Sequence, residues 1–246
     1  NDESLNNLSD IKNIIIVGGG SAGWMTATTL LSQFPDKKIT LVESPNISNI
    51  GVGESTVAGN QSGFYGIGDW LRLVNVDERV FMSHTDAIFK LSIAFENWYR
   101  EDSGTFHYPF GMPSSIPKIE LNSWHVKKIL YPETPVSDYV ECFYSAMALV
   151  NQNKSLFRPS NIPLTVKDYS FQFDATKFGL WLRDNQCKTK YSDNFTHILA
   201  EVKDISLNED GIEHLILDDG RKLNADLYID CTGFKSLLLT KTFNVP

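Results

Sequence analysis

The sequence predicts an α/β fold organised around a parallel sheet, on three observations. A short apolar strand, 14–17, runs straight into Gly18-Gly19-Gly20-Ser21-Ala22-Gly23. A helix pattern follows from Ala22 to about Gln33, with Met25, Leu30 and Leu31 apolar, and Pro35 stops it. A second strand, 38–42, ends at Glu43. Strand, helix and strand at this spacing make a parallel pair joined by a right-handed crossover.

The rest of the chain is read in order. Residues 44–63, rich in Gly, Ser and Asn, form an ordered loop. Helical segments are expected over 65–74 and 77–84. Period-two alternation from Phe89 to Trp98 predicts one strand, with Phe89, Leu91, Ile93 and Phe95 on one face and Lys90, Ser92, Ala94 and Glu96 on the other. Residues 101–135, with several prolines and aromatics, are expected to be irregular. A helix over about 138–151 follows, then a strand at 171–173 and a helix capped by Asp174 that runs to about Asn185. Strands over 198–207 and 213–217 are joined by the Asn208-Glu209-Asp210-Gly211 turn. Asp218-Asp219-Gly220 makes the next turn, and a last strand, 226–230, runs into Cys231-Thr232-Gly233.

Composition narrows the function classes. With 246 residues, 42% apolar and 21% charged, the chain holds one large domain, or one domain with an insertion. A net charge of −8 with scattered Lys and Arg argues against a nucleic-acid partner. No apolar run reaches the length of a membrane span, and the polar, acidic start is not a signal peptide. Cys142, Cys187 and Cys231 are odd in number and far apart, which points to a reducing cytoplasm. The five histidines show no metal-ligand spacing.

Gly18, Gly20 and Gly23 form G-x-G-x-x-G at the strand-to-helix junction. The first glycine permits the tight turn, the second lets a pyrophosphate approach the backbone, and the third lets helix and strand pack closely. The free N–H groups at the helix start, at Ser21 and Ala22, then hold the diphosphate. Glu43 lies 20 residues past Gly23, where a carboxylate accepts hydrogen bonds from a ribose. The segment 226–233, with Asp230 and Gly233, resembles the second FAD motif of glutathione-reductase-type flavoproteins. In those proteins the chain returns to the sheet beside the first strand. This resemblance implies a three-layer FAD/NAD(P)-binding, Rossmann-like fold with a substrate-side insertion, and FAD as the cofactor.

Several stretches together resemble the flavin-dependent tryptophan halogenases, in order from about residue 12 to 236. Gly18 to Met25 matches that family's opening, including Trp24 after the third glycine. Gly51, Val52, Gly53, Glu54 and Ser55 resemble its flavin strap, although Glu54 equally suits a turn cap. Phe89-Lys90 with Phe95, Asn97 and Trp98 resembles the segment carrying the family's active-site lysine. Phe173-Asp174-Ala175 and Ile229 to Gly233 match two further stretches. By the same resemblance Val202 lies beside the cofactor. Trp24 reads as helix packing, and His107, His125, Phe106, Tyr108, Phe110 and Trp124 as packing or surface residues.

The resemblance implies that reduced FAD (FADH2) and O2 oxidise a bound halide ion to hypohalous acid. Lys90 then directs the halogen onto an electron-rich aromatic such as tryptophan or an indole. Partial burial of Lys90 is expected to lower its pKa and aid this role. The division expected is a flexible 1–11, an FAD-binding β-α-β and strap over 12–100, a substrate-side insertion over 101–165, and a return to the FAD-binding domain over 166–246. The family's W-x-W-x-I-P stretch, halide loop and second acid are not found in the sequence, so an N-terminal part of a longer enzyme, inactive alone, is expected. No second NAD(P)H fingerprint is found, which fits a separate flavin reductase as partner; a homodimer is left open. Two other readings stay open: an FAD-dependent aromatic monooxygenase or other flavin oxidoreductase, and a non-catalytic flavin-binding module.

Overall fold

The computed structural model describes residues 10–46, 66–111, 113, 121–156 and 169–244. In chain order the elements are β1 (Asn13–Val17), α1 (Ser21–Gln33), β2 (Lys38–Glu43), α2 (Ile67–Leu73), α3 (Glu78–Thr85), β3 (Ile88–Lys90), β4 (Ser92–Glu96), β5 (Thr105–Pro109), α4 (Leu121–Leu130), α5 (Ser137–Phe143), α6 (Ala146–Val150), β6 (Ser170–Gln172) and α7 (Ala175–Trp181). After α7 come a π-helical segment (Leu182–Lys190), β7 (Phe195–Leu199), β8 (Val202–Asn208), β9 (Gly211–Leu217), β10 (Lys222–Leu223), β11 (Leu227–Asp230) and α8 (Leu237–Phe243). The chain divides into two compact units. One takes Asn1–Gly53, Ser83–Asp86 and Asp174–Pro246; the other takes Glu54–Met82 and Ala87–Phe173.

The first unit is built on a four-stranded sheet of order β11-β1-β2-β7. Every neighbouring pair in it is parallel. Parallel strands covered on both faces read as unbroken apolar runs, and Ile14, Ile15, Ile16 and Val17 are all buried. On one face Ile15, Val17, Val42 and Ile198 pack with Leu215 and Leu217 of β9 and Leu238 of α8. On the helical side α1 buries Trp24, Ala27 and Leu31. The antiparallel sheet β10-β9-β8 makes the third layer. β11 returns beside β1, as the sequence implied, with Ile16 opposite Ile229. Asp226 fastens this edge: its Oδ2 accepts the backbone N–H groups of Lys12 and Asn13, both at 2.8 Å.

Two expected elements of this unit are redrawn. The strand 198–207 is two strands in different sheets: β7 ends on the parallel sheet and β8 starts the antiparallel one. Between them Ala200 donates to the Glu43 carbonyl at 3.0 Å, which ends the parallel pairing. The helix capped by Asp174, whose Oδ1 accepts the Lys177 N–H at 2.9 Å, continues to Lys190 as wider π-turns that bury Leu182, Gln186 and Cys187. Helix α8 and the short β10 went unforeseen. Both expected turns are present, with Gly211 and Gly220 at φ +126° and +86°.

In the second unit the single strand expected over 89–98 is broken at Leu91. β3 pairs antiparallel with β6, whereas β4 pairs antiparallel with β5. The Leu91 carbonyl accepts the Phe110 N–H at 3.0 Å, so the backbone changes partners there. The segment expected to be irregular, 101–135, supplies β5 and α4. Asn97 and Gly104, both at positive φ, close the β4–β5 hairpin, and the Gly104 N–H donates to the Asn97 side chain. The helix expected over 138–151 is two helices, because Tyr144 adopts extended backbone between α5 and α6. Leu91, Ala146 and Leu156 form a core here with Phe89 and Tyr169 around them. The helices expected over 65–74 and 77–84 appear as α2 and α3. Among the described residues no helix is long and apolar enough to cross a membrane, and no His, Cys, Asp or Glu cluster could hold a metal.

Candidate functional site: a glycine corner at the head of the parallel sheet

The carboxyl ends of β1, β2 and β11 meet at the amino end of α1, the place where open α/β sheets bind ligands. Gly18 follows β1 at φ +118°, a conformation that favours glycine. Its N–H donates to the Val42 carbonyl at 2.9 Å, and the Cys231 N–H donates to the Val17 carbonyl at 2.8 Å. A Cβ on Gly18 would stand 2.2 Å from the Cys231 carbonyl oxygen. The turn is thus clamped between its two neighbouring strands.

Gly20 precedes α1 and has nothing within 4 Å of its would-be Cβ. No side chain caps the helix, and its first turn has no acid. The first N–H groups of a helix carry partial positive charge and need partners, so this corner suits a diphosphate. Gly23, one turn on, touches the Gly18 carbonyl and sets how closely helix and strand approach.

The corner opens on a cavity of about 520 Å3, within the usual span for cofactor and ligand sites. Four stretches line it: Val17 to Gly20, Val42 to Ser44, Ala200 to Val202, and Cys231 to Lys235, with Leu237 beyond. Glu43 carries its carboxylate at the end of β2, with Oε2 2.8 Å from His197 Nε2. Beside it Arg183 pairs with Asp184 through two hydrogen bonds, at 2.8 and 3.0 Å. That pairing holds the guanidinium above its ordinary range, and the charge of Glu43 adds to the effect. Glu201 accepts hydrogen bonds from Asn46 and Ser44 at 3.0 and 2.9 Å, which hold its carboxyl below the usual range, with Lys235 adding to it. Burial pushes the Cys231 thiol up.

Of the residues singled out from the sequence, Gly18, Gly20, Glu43, Val202 and Gly233 line this cavity. Ser21, Ala22 and Gly23 belong to the helix start beside it. Asp230 turns its carboxylate to the chain. Oδ1 accepts from the Thr232 N–H and hydroxyl at 3.0 and 2.6 Å, and Oδ2 accepts from the Leu238 N–H at 2.8 Å. It shapes the turn that carries Gly233. Gly51, Val52, Gly53, Glu54 and Ser55 lie outside the described residues. Lys90 belongs to the second unit, half-buried on β3 opposite Ser170, with its ammonium 5.9 Å from the centre of the Phe110 ring. Ser92 does not share a continuous strand face with it; its hydroxyl meets His107 Nδ1 at 2.9 Å. Sequence reasoning missed Gly19, Ser44, Glu201 and Lys235, whose only signal is adjacency to residues that were found. It also missed His197, for which the sequence offers none.

The sequence profile of the tryptophan halogenases matches residues 13–246. The chain belongs to the tryptophan halogenase family. It is 33% identical to the tryptophan 6-halogenase ThaL of Streptomyces albogriseolus, a match covering 96% of this chain and 45% of ThaL. The solved tryptophan 6-halogenase SttH of Streptomyces toxytricini superposes with a TM-score of 0.76 at 28% identity, over 96% of this chain and 44% of that one. A flavin-dependent halogenase of Xanthomonas campestris, Xcc4156, superposes with a TM-score of 0.75 at 28% identity, over 96% and 45%. The three-layer fold is therefore that of solved flavin-dependent halogenases. The chain spans less than half the length of these relatives.

Proposed function

We propose that this chain is the FAD-holding and lysine-bearing part of an FADH2-dependent halogenase acting on tryptophan or a related indole. The observation that carries the reading is the bare glycine corner at the head of α1, with the Glu43 carboxylate at the end of the adjacent strand, in a chain of this family. The corner fits the cofactor. Gly20 leaves open space where a side chain would stand, and Gly18 and Gly23 admit no side chain without moving backbone. When bound, reduced FAD would supply the electrons that let O2 oxidise halide to hypohalous acid.

The chain's own residues have separate tasks. The N–H groups at Ser21 and Ala22 face the diphosphate, and Glu43 accepts the ribose hydroxyls. Val202 and Gly233 line the cavity that would hold the cofactor. Gly51 to Ser55 serve as the strap. Lys90, on a strand buttressed by Phe171 and Ser170, offers an ammonium donor to the halogen species, so that the halogen and not its oxygen meets the aromatic ring. A separate reductase supplies the reduced flavin, and a halide ion and a small aromatic complete the reaction.

The test is made on the full-length protein supplied with a flavin reductase, FAD, O2, bromide or chloride, and tryptophan or indole. A mass gain of one halogen in place of hydrogen is the expected product. Hydroxylation alone would point to an aromatic monooxygenase, and flavin binding with no turnover to a binding module.

A further inference from the structure

We infer that His197 is a positioning residue for cofactor binding, holding the Glu43 carboxylate in the one orientation that meets a ribose. This rests on the cofactor site proposed above. β2 and β7 are parallel and in register, with Leu41 opposite His197. Alternate residues of a strand share a face, so Leu41, His197 and Glu43 project to the same side. His197 Nε2 stands 2.8 Å from Glu43 Oε2, and the two side chains are 12% and 18% exposed. A carboxylate has no donor, so the Nε2 proton makes this bond.

The imidazole is itself immobilised. Trp24, 1% exposed, meets it edge-on with ring centres 5.2 Å apart and packs on Phe195 of the same strand at 6.0 Å. The other carboxylate oxygen, Oε1, lies against Gly19: a Cβ on Gly19 would stand 2.4 Å from it. His197 thus fixes one oxygen, and the missing side chain of Gly19 lets the other rest beside the glycine turn. A glutamate has three rotatable side-chain bonds and gives up that freedom on ordering. Here the protein has ordered it before any ligand arrives, which is how preorganisation raises affinity.

The test is FAD titration followed by flavin fluorescence, with thermal unfolding as a control, on His197→Leu, His197→Gln, Glu43→Ala, Gly19→Ala and the double variant His197→Leu/Glu43→Ala. Loss of one charge-assisted hydrogen bond is expected to weaken FAD binding roughly tenfold in His197→Leu. His197→Gln, which returns an N–H donor at similar reach, is expected within about threefold of wild type. The double variant is expected to bind no more weakly than Glu43→Ala alone, because His197 acts only through that carboxylate. Should His197→Leu not fold, Gly19→Ala carries the test: it displaces the carboxylate from the other side and is expected to weaken FAD with little change in unfolding temperature. Unchanged binding in His197→Leu or in Gly19→Ala, or losses that multiply in the double variant, overturn the inference. Absence of FAD binding by the wild type overturns the cofactor site itself, a result distinct from these.

Discussion

A Cβ on Gly23 would stand 1.8 Å from the carbonyl oxygen of Gly18. Helix and strand are therefore in backbone contact at this point, and relief requires moving one against the other. Gly23→Ala is expected to cost at least about 2 kcal/mol, a fall of roughly 4–8 °C in unfolding temperature for a chain of this size. Gly20→Ala, with open space around it, is expected to stay within about 1 kcal/mol of wild type yet bind FAD about tenfold more weakly, because its methyl would enter the proposed diphosphate site. Thermal unfolding beside flavin titration separates the two effects. A Gly20→Ala protein with wild-type affinity would place the diphosphate elsewhere.

Lys90→Ala is expected to lower halogenated product by about a hundredfold or more, while the full-length protein goes on consuming reduced flavin and O2. Product is read by mass spectrometry and flavin oxidation by absorbance. Normal halogenation by this variant would remove Lys90 from the chemistry.

Asp226 supplies the acid-sensitive fastening of the sheet edge. The backbone N–H groups of Asn13 and Lys12 hold its carboxyl below the usual carboxylate range. The folded value is depressed, so the stability it contributes is present above the unfolded carboxylate range and is lost as pH falls through the lower folded value. Asp226→Asn is expected to unfold about 1–3 °C below wild type at pH 7, since the site is solvent-exposed. The difference should close below about pH 4. A gap independent of pH would show that shape and not charge matters there.

The three cysteines are expected to differ in reactivity. Burial pushes the Cys187 thiol up to about 12, so it should resist alkylation at pH 8 until the protein unfolds. Cys142 is exposed and should react first. Cys231 lines the cavity, and saturating FAD should slow its modification. Peptide mass mapping with and without flavin reads all three. Equal labelling of Cys231 in both conditions would argue that FAD does not cover it.

The β1-α1-β2 half of the parallel sheet was readable in the sequence because its requirements are local. Four consecutive β-branched residues, 14–17, can be buried on both faces, and the Gly18 turn tolerates no side chain. The place of β11 beside β1 came from the resemblance of 226–233 to a flavoprotein motif, since its partner strand lies over 200 residues away. Elements set by partners remote in sequence were not readable. Alternation from Phe89 to Phe95 says nothing of Leu91 exchanging β6 for β5. The run from Ile198 to Leu207 hides the point where Ala200 leaves Glu43 for another sheet. His197 was invisible because a lone histidine in an apolar strand acquires its purpose only when Glu43, 154 positions away, is laid beside it.

The exchange of partners at Leu91 uncouples two stretches that follow each other in the chain. Phe89 and Lys90 take their register from Phe171 and Ser170, whereas Ser92 to Glu96 take theirs from Thr105 to Pro109. Lengthening or resequencing the hairpin tip between Asn97 and Gly104 would therefore leave Lys90 and its strand in register. Two neighbouring stretches of one chain can thus vary independently, one in loop length and the other in side chains.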